Sequence, residues 1–492
     1  MSYVRQSKFR HVYGQSSKSE GTFTNIKISK NSADSNLCSV NPKFIAIAVS
    51  GMGGGPFLVL PLDRVGRLDT DYPMVNGHSN DVIDLAWSPF HDNMVASCSD
   101  DCTVKIWLIP DGGLKENLTE PLRDFTGHDK RVNMLLWHPT AENILASACA
   151  AGRLLLWDVE AGTLVREMEF SPTFITCLSW NYDGSLLAAT TKDKRLLVID
   201  IRQQEVVKEK KDFCLGAKPG KCVFLKDGKI FTTGFGRMSA RCYALWDLKN
   251  SDKPLCEETI DSNNGVLYPF YDPNNNIIFT VGKGDSDIKY FEIDDKPPYI
   301  HYLSLFKTNK SQRGVAWMPK RGLDVMQKEI FRFYKLCQSD SNCEPISMIV
   351  PRKSELFQDD IYDDCPNDEP ALTAAEWLEG KNSPPKLMSW KPVYDEMKGK
   401  SKSNSGSVST SNKPQRTLSK LPARSQVQVK SHAQNGTQLP EGFDITELLD
   451  DVKKLKSTVR KQNRRIAKLE KQLGDVVADD DGKEDGEEEE EE

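Results

Sequence analysis

A chain of 492 residues is too long for one ordinary domain, and 38% apolar with 28% charged residues is the composition of a folded, water-exposed protein. No apolar run is long enough to cross a bilayer. The basic start, MSYVRQSKFRHVYG, lacks the apolar core of a secretory signal, so the expected location is the cytoplasm. The twelve cysteines are scattered without a C-x-x-C pair. Cys98 and Cys102 lie closest but have no second ligand pair at zinc-like spacing, so neither metal nor cofactor is expected, only thiols in a reducing compartment.

The net charge of −6 hides a segregation. The first thirty residues hold six basic side chains against Glu20, and Met397 to Pro440 holds eight Lys or Arg and no acid. From Asp479 to Glu492 eleven acids face Lys483 alone, which leaves the rest of the chain at +4 (−6 minus −10). Such asymmetry points to a partner with an acidic surface, and no nucleic-acid partner is expected.

In chain order, Phe9-Arg10-His11-Val12-Tyr13 alternates like a strand and is placed to complete a blade built by residues 315–335. Next comes SGMGGGP, Ser50 to Pro56, between the strand-like runs FIAIAV and FLVLPL. A phosphate loop needs a helix and a Lys-Ser/Thr pair after the glycines, and here a second strand follows, so the glycines are a hairpin turn. One phrase then repeats, closing near residues 60, 107, 157, 199, 246, 291 and 333, at spacings of 42 to 50 residues. Each unit holds short runs rich in Val, Ile, Leu and Trp, divided by Gly, Asp, Asn or Pro turns. Units of this length with Gly-His openings (Gly77-His78, Gly127-His128) and Trp-Asp closings resemble WD repeats, four strands per blade. The expected fold is therefore all-β, a seven-bladed propeller over residues 1–344. His78, Ser97, Asp101 and Trp107 fall where WD repeats place a buried hydrogen-bonded tetrad with a structural role. The next unit has Ala151 where the turn aspartate would stand.

QSKFRHVYGQ (6–15), FTTGFGRMSAR (231–241) and VPRKSELFQDDIYDD (350–364) are more particular than a generic WD repeat. With NPKFIAIAV, FLVLPL, VGKGDSDIKYFEI and PPYIHYL, they make most of the chain similar to short coronins, a family of actin-filament-binding propeller proteins with a carboxy-terminal coiled coil. The resemblance implies that Lys30, in IKISK, contacts the filament at a position where relatives typically carry Arg; the charge is kept and the bidentate fork lost. Arg5, Lys8 and Arg10, near it in sequence, are candidates to extend the patch. The resemblance also implies that residues 345–396, with Trp377 and Trp390, pack on one propeller face, which agrees with the need of those tryptophans for a surface to cover.

Residues 397–440 read as a disordered basic linker. Its Lys413, Arg416, Lys420, Arg424 and Lys430 are candidates for a second, weaker filament contact, and Arg416-Thr417-Leu418-Ser419 resembles a basophilic kinase site. Within 441–477, Ile445, Val452, Val459, Ile466 and Leu473 recur every seven residues, and Leu448, Leu455 and Leu469 fall in a second series broken by Gln462. That is a coiled-coil heptad pattern. β-branched residues in the first series favour a dimer by the general rule. Arg465 to Glu470, however, matches an Arg-apolar-x-x-apolar-Glu trimer signature of coronin coiled coils, and the specific motif is preferred. Residues 478–492 read as a solvated acidic tail.

The resulting expectation is a non-enzymatic scaffold of the actin cytoskeleton and cell cortex that organises filaments and crosslinks them through a homotrimer. By resemblance it also couples to the branched-actin nucleating complex and to cofilin. The alternative is a generic WD-repeat adaptor in a signalling or ubiquitin-ligase complex, which would not need the family-specific phrases outside the repeats.

Overall fold

The computed structural model describes residues 5–51, 54–250 and 253–404. The chain divides into a unit Met1–Ser409 and a unit Thr410–Glu492, and the second lies wholly outside the described residues. The coiled-coil positions, the linker cations Lys413 to Lys430 and the acidic tail therefore lie outside them too.

Six four-stranded antiparallel sheets and one five-stranded sheet follow one another as the seven blades of a propeller. The second blade shows why such short runs suffice. Its innermost strand, Val82–Trp87, alternates between buried residues and half-exposed Asp84 and Ala86, which face the central channel. The next strand, Met94–Ser99, is buried at every position but its first, because sheets of neighbouring blades cover both of its faces. Thr103–Leu108 and Arg123–Thr126 complete it toward the rim. The strands flanking the glycine-rich stretch, Phe44–Ala48 and Phe57–Pro61, pair antiparallel from Phe44↔Pro61 to Ala48↔Phe57, and residues 52–53 between them lie outside the described residues. Gly54 in that stretch has φ +118, a conformation that a side chain resists.

The ring closes in the seventh blade, whose strands Gly314–Trp317, Glu329–Cys337 and Asn342–Ile349 are completed by Tyr13–Ser16 from the chain start. Two expectations shift here. The closing strand begins at Tyr13, while Phe9 lies buried in the turn before it and Val12 accepts a 2.6 Å hydrogen bond from Tyr290. Phe333, read as a unit end, sits on the blade's second strand, and Asn342–Ile349 runs across the boundary drawn at residue 344. Two 3₁₀ turns, Lys320–Gly322 and Val325–Gln327, lengthen the first loop of this blade and displace the repeat by one strand. Gly14 is required in the closing strand because a Cβ there would stand 2.4 Å from the Phe306 ring.

Beyond Ile349 the chain crosses one face of the disc. Cys365–Pro366 pairs with Leu387–Met388, and Ala374–Leu378 is a short helix begun by a Thr373–Glu376 capping box. Trp377 is completely buried, its Nε1 donating to the Gly184 carbonyl at 3.2 Å. Its ring lies 4.6 Å from the His138 ring and beneath the Arg202 guanidinium. Trp390 is buried against Tyr362, whose hydroxyl donates to the Glu329 carbonyl at 2.9 Å.

Candidate interaction surfaces

Antiparallel blades fix which loops share a face. The turns between second and third strands and the connections between blades lie on one side, called upper here. The turns after first and third strands lie on the other, lower side. The extension contacts the lower loops, as Trp377 to Gly184 and Asn274 to the Asp364 carbonyl show.

Lys30 is on the upper face. Residues 27–30 run beside the end of Phe44–Ala48, with Ser29 N–H donating to the Ala48 carbonyl and Ser50 N–H to the Lys27 carbonyl. The Lys30 N–H donates to Ser50 Oγ at 3.3 Å, so the glycine-rich turn supports the lysine from behind. Asn31 Nδ2 bridges Asp81 and Asp100 at 3.2 Å each, while Arg313 and Lys283 donate to the carbonyls of Asn31 and Ala33. The backbone around Lys30 is therefore fixed, and its exposed ammonium has no hydrogen-bond or ion-pair partner among the described residues.

Arg5, Lys8 and Arg10 are not part of that patch. Arg5 pairs with Glu292 at 2.5 Å and Asp294 at 3.3 Å, where the strand Asp287–Ile293 ends on the lower side. The Glu292 hydrogen bond holds the Arg5 guanidinium above its ordinary value. Lys8 donates to the Asp360 carbonyl of the extension and lies 5.1 Å from the Phe9 ring. Arg10 is exposed in the turn that precedes Tyr13, whose partner Ile349 also ends a strand on the lower side. Nearness in sequence fails because Tyr13–Ser16 carries the chain from the lower face to the upper one.

The upper face has a second feature that charge counting missed. In the turn after Ile230–Phe235, Arg237 is exposed and Met238 is 94% exposed, with Met238 and Ser239 at φ 53 and 60. Leu215 stands exposed nearby, its carbonyl accepting from Lys194 Nζ at 3.3 Å, and Lys218 Nζ lies 5.4 Å from the Phe235 ring. The phrase FTTGFGRMSAR was the available signal, but a resemblance alone did not place it on a face.

The buried tetrad beneath this face is a directed chain of hydrogen bonds. Trp107 Nε1 donates to Ser97 Oγ at 2.8 Å, Ser97 is bonded to His78 Nε2 at 2.7 Å, and His78 Nδ1 donates to Asp101 at 2.8 Å. The Ser-His-Asp order is that of a catalytic triad, but Ser97 is fully buried and its oxygen already takes the tryptophan N–H. Burial works to raise Asp101, and the bonds from His78 and Thr103 outweigh it, holding the carboxyl well below its usual range. In the third blade Trp157, Ser147 and His128 repeat the chain at 2.8 and 2.7 Å, but with Ala151 in place of the aspartate the buried His128 Nδ1 has no partner. Burial, followed by the Arg153 charge, lowers His128 to about 4. Among the described residues no group of three His, Cys, Asp or Glu side chains is placed to hold a metal.

Comparison with known proteins joins these features. The family model described as Domain of unknown function (DUF1899) matches residues 2–67, which hold the closing strand, Lys30 and the glycine-rich turn. A WD domain, G-beta repeat, matches 72–107, the Anaphase-promoting complex subunit 4 WD40 domain matches 122–183, and a type of WD40 repeat matches 343–385. The structure is similar to the WD40 domain of a Toxoplasma gondii coronin, with 32% identity and a TM-score of 0.74, covering 78% of this chain and 98% of that one. It is also similar in fold to a chain of the Mitotic Checkpoint Complex, at 15% identity and a TM-score of 0.51, over 71% and 97% of the two chains.

Proposed function

The chain belongs to the coronin family, and from that premise we propose that it is an actin-filament-binding scaffold whose upper propeller face makes the primary contact. One observation carries the choice of face. Lys30 is held on a fixed backbone with its ammonium unpaired, while Arg5 and Lys8 are engaged on the side that the extension covers. An unpaired cation on the same face as the exposed Arg237 and Lys218 loops attracts an acidic filament surface over about a Debye length, and that attraction falls as salt rises.

In this reading the chain has no catalytic step. The linker cations Lys413, Arg416, Lys420, Arg424 and Lys430 add a weaker contact, which phosphate on Ser419 would reduce. The heptad segment joins three propellers, so that single weak contacts become multivalent and neighbouring filaments are crosslinked. The same segment engages the branched-actin nucleating complex, with cofilin acting beside it in filament turnover at the cell cortex.

Co-sedimentation of the full chain with actin filaments across a salt series tests this, with Lys30→Glu and a truncation at Pro440 alongside. The expected result is pelleting that weakens with salt, a large loss for Lys30→Glu, and a loss of orders of magnitude for the truncation. Absence of pelleting at the lowest salt would overturn the actin reading.

A further inference from the structure

The central channel opens into a cavity of about 520 Å³ lined by the innermost strands. Lys221 and Tyr268 lie at its upper end, near the starts of the innermost strands Lys221–Phe224 and Leu267–Asp272 of the fifth and sixth blades. Trp317 ends the innermost strand of the seventh blade and stands 44% exposed at the lower mouth. Between these ends the wall is mostly apolar, built by Leu135, Leu178, Val223 and Phe270. Two polar groups on it are satisfied within the fold: the Cys177 S–H donates to the Cys222 carbonyl at 3.4 Å, and Ser179 Oγ accepts the Phe224 N–H at 3.0 Å. An apolar cavity with a few polar groups at one end is the form of a small-ligand site, for which about 300–1,000 Å³ is usual.

Lys221 is the group that the fold leaves unbalanced. It is only 4% exposed, its Nζ donates to the Thr176 carbonyl at 2.6 Å, and no ion pair joins it to a carboxylate among the described residues. A buried ammonium without a counter-ion is costly. Its Nζ lies 5.2 Å from the centre of the Tyr268 ring, and the Tyr268 hydroxyl is buried with no hydrogen-bond partner among the described residues. Two donors thus stand next to each other with no anion to receive them. Lys283 and Arg313 line a smaller hollow that shares Tyr268 with the cavity. Lys283 is met by Asp34 at 3.7 Å, while Arg313 donates to the Asn31 carbonyl and its Nε is buried without a partner. The other carboxylate of the cavity is Asp84, which accepts the Leu135 N–H at 3.1 Å. Burial pushes it up to about 7, so near neutral pH roughly half of it carries no charge. The upper end of the cavity is therefore positive on balance.

We propose that the channel binds a small amphipathic carboxylate, its carboxylate against Lys221 Nζ and the Tyr268 hydroxyl and its apolar body along the wall toward Trp317. The lysine has protons left after the Thr176 carbonyl has taken one, so one carboxylate oxygen receives a charge-assisted N–H bond and the other receives the tyrosine O–H. A neutral amphiphile would supply no charge to balance the lysine, and a cation would add to its charge. A phosphate ester would set about two negative charges across from Asp84, where a carboxylate sets one. The apolar body covers wall that water otherwise wets. A ligand in this position touches the fifth, sixth and seventh blades together, so its binding stabilises the propeller by mass action.

The test is titration of the folded full chain with octanoate and with octanamide, its uncharged counterpart, followed by saturation-transfer NMR and by the urea midpoint. Octanoate should bind about tenfold more tightly than octanamide and should raise the midpoint as its concentration rises. In Lys221→Met, which keeps an unbranched side chain without the charge, the preference for octanoate should disappear while octanamide still binds. Tyr268→Phe should weaken octanoate about threefold. Equal binding of the two compounds to the wild-type chain, or no binding of octanoate at millimolar concentration, would overturn the proposal, as would an unchanged preference in Lys221→Met. Should that variant fold poorly, Tyr268→Phe removes a single oxygen, and an unchanged octanoate affinity there would overturn the carboxylate site.

Discussion

The two faces of the propeller are finished in opposite ways. On the lower face Trp377 and Trp390 are buried under the extension, Arg5 is paired with two carboxylates, and His138 is enclosed between the Trp180 and Trp377 rings. On the upper face Lys30, on a backbone held by Ser50, and Arg237 and Met238 stand in solvent. Burying an aromatic ring removes apolar area from water and stabilises the fold. An unpaired surface lysine contributes little to stability and keeps its charge for a partner. In the proposed function stability and recognition fall on different sides, and separate substitutions should affect them.

The largest effect should come from Trp377→Ala. Removing a fully buried tryptophan that also donates to Gly184 should cost ~3–5 kcal/mol, read as a lowered urea midpoint, with filament affinity kept while the chain stays folded. Acid should act next, on a histidine of each side. His138 is lowered to about 4, first by burial and further by Arg202, against the bond to the Gly184 carbonyl. Its folded value lies below its unfolded one, so the unfolded chain binds the proton first. Stability is full above pH ~6.5 and is lost as pH falls toward 4, on the order of 3 kcal/mol per histidine, with His128 falling in the same window. Urea midpoints measured stepwise through that range should fall steadily; a flat profile would show that neither histidine is held neutral.

A charge-reversal pair separates the faces directly. Lys30→Glu should weaken filament pelleting about tenfold at low salt while changing stability by less than about 0.5 kcal/mol. Arg5→Glu places a third acid beside Glu292 and Asp294 and should cost about 1 kcal/mol of stability without loss of pelleting. Loss of pelleting in a folded Arg5→Glu chain would move the contact to the lower face and break the comparison.

How much of this could be read from the residues varied along the chain. Where a blade keeps one apolar phrase per 42 to 50 residues, periodicity placed its third strand: 107 falls in Thr103–Leu108, 157 in Arg153–Asp158, and 246 in Ala240–Trp246. In the seventh blade two 3₁₀ turns enter the first loop, and the count slipped by one strand. The tetrad residues were legible because fixed spacing brings them together within one blade. The surfaces were not, because a face is defined by loops from different blades. Arg5 and Lys30 are 25 positions apart and belong to opposite faces, whereas Ala33 and Lys283 are 250 apart and touch. The linker and heptad positions lie outside the described residues.

The smallest expected effect lies within the upper face itself. The second and third blades share the tryptophan–serine–histidine chain and differ in its last acceptor, Asp101 in one and Ala151 in the other. Ala151→Asp should offer His128 Nδ1 the partner it lacks, stabilising the blade by about 1 kcal/mol and raising the histidine from about 4. The new carboxylate would also join a cluster in which Arg153 already serves Asp129 and Glu167, so part of the gain is offset by crowding of like charge. Urea midpoints near neutral pH measure the net result, and a histidine NMR titration isolates the new bond. If His128 rises while stability does not, the bond has formed and the carboxylates have cancelled it. If neither changes, the third-blade turn does not bring residue 151 to the ring, and the loss of the aspartate is matched by a different turn geometry rather than by a missing acceptor.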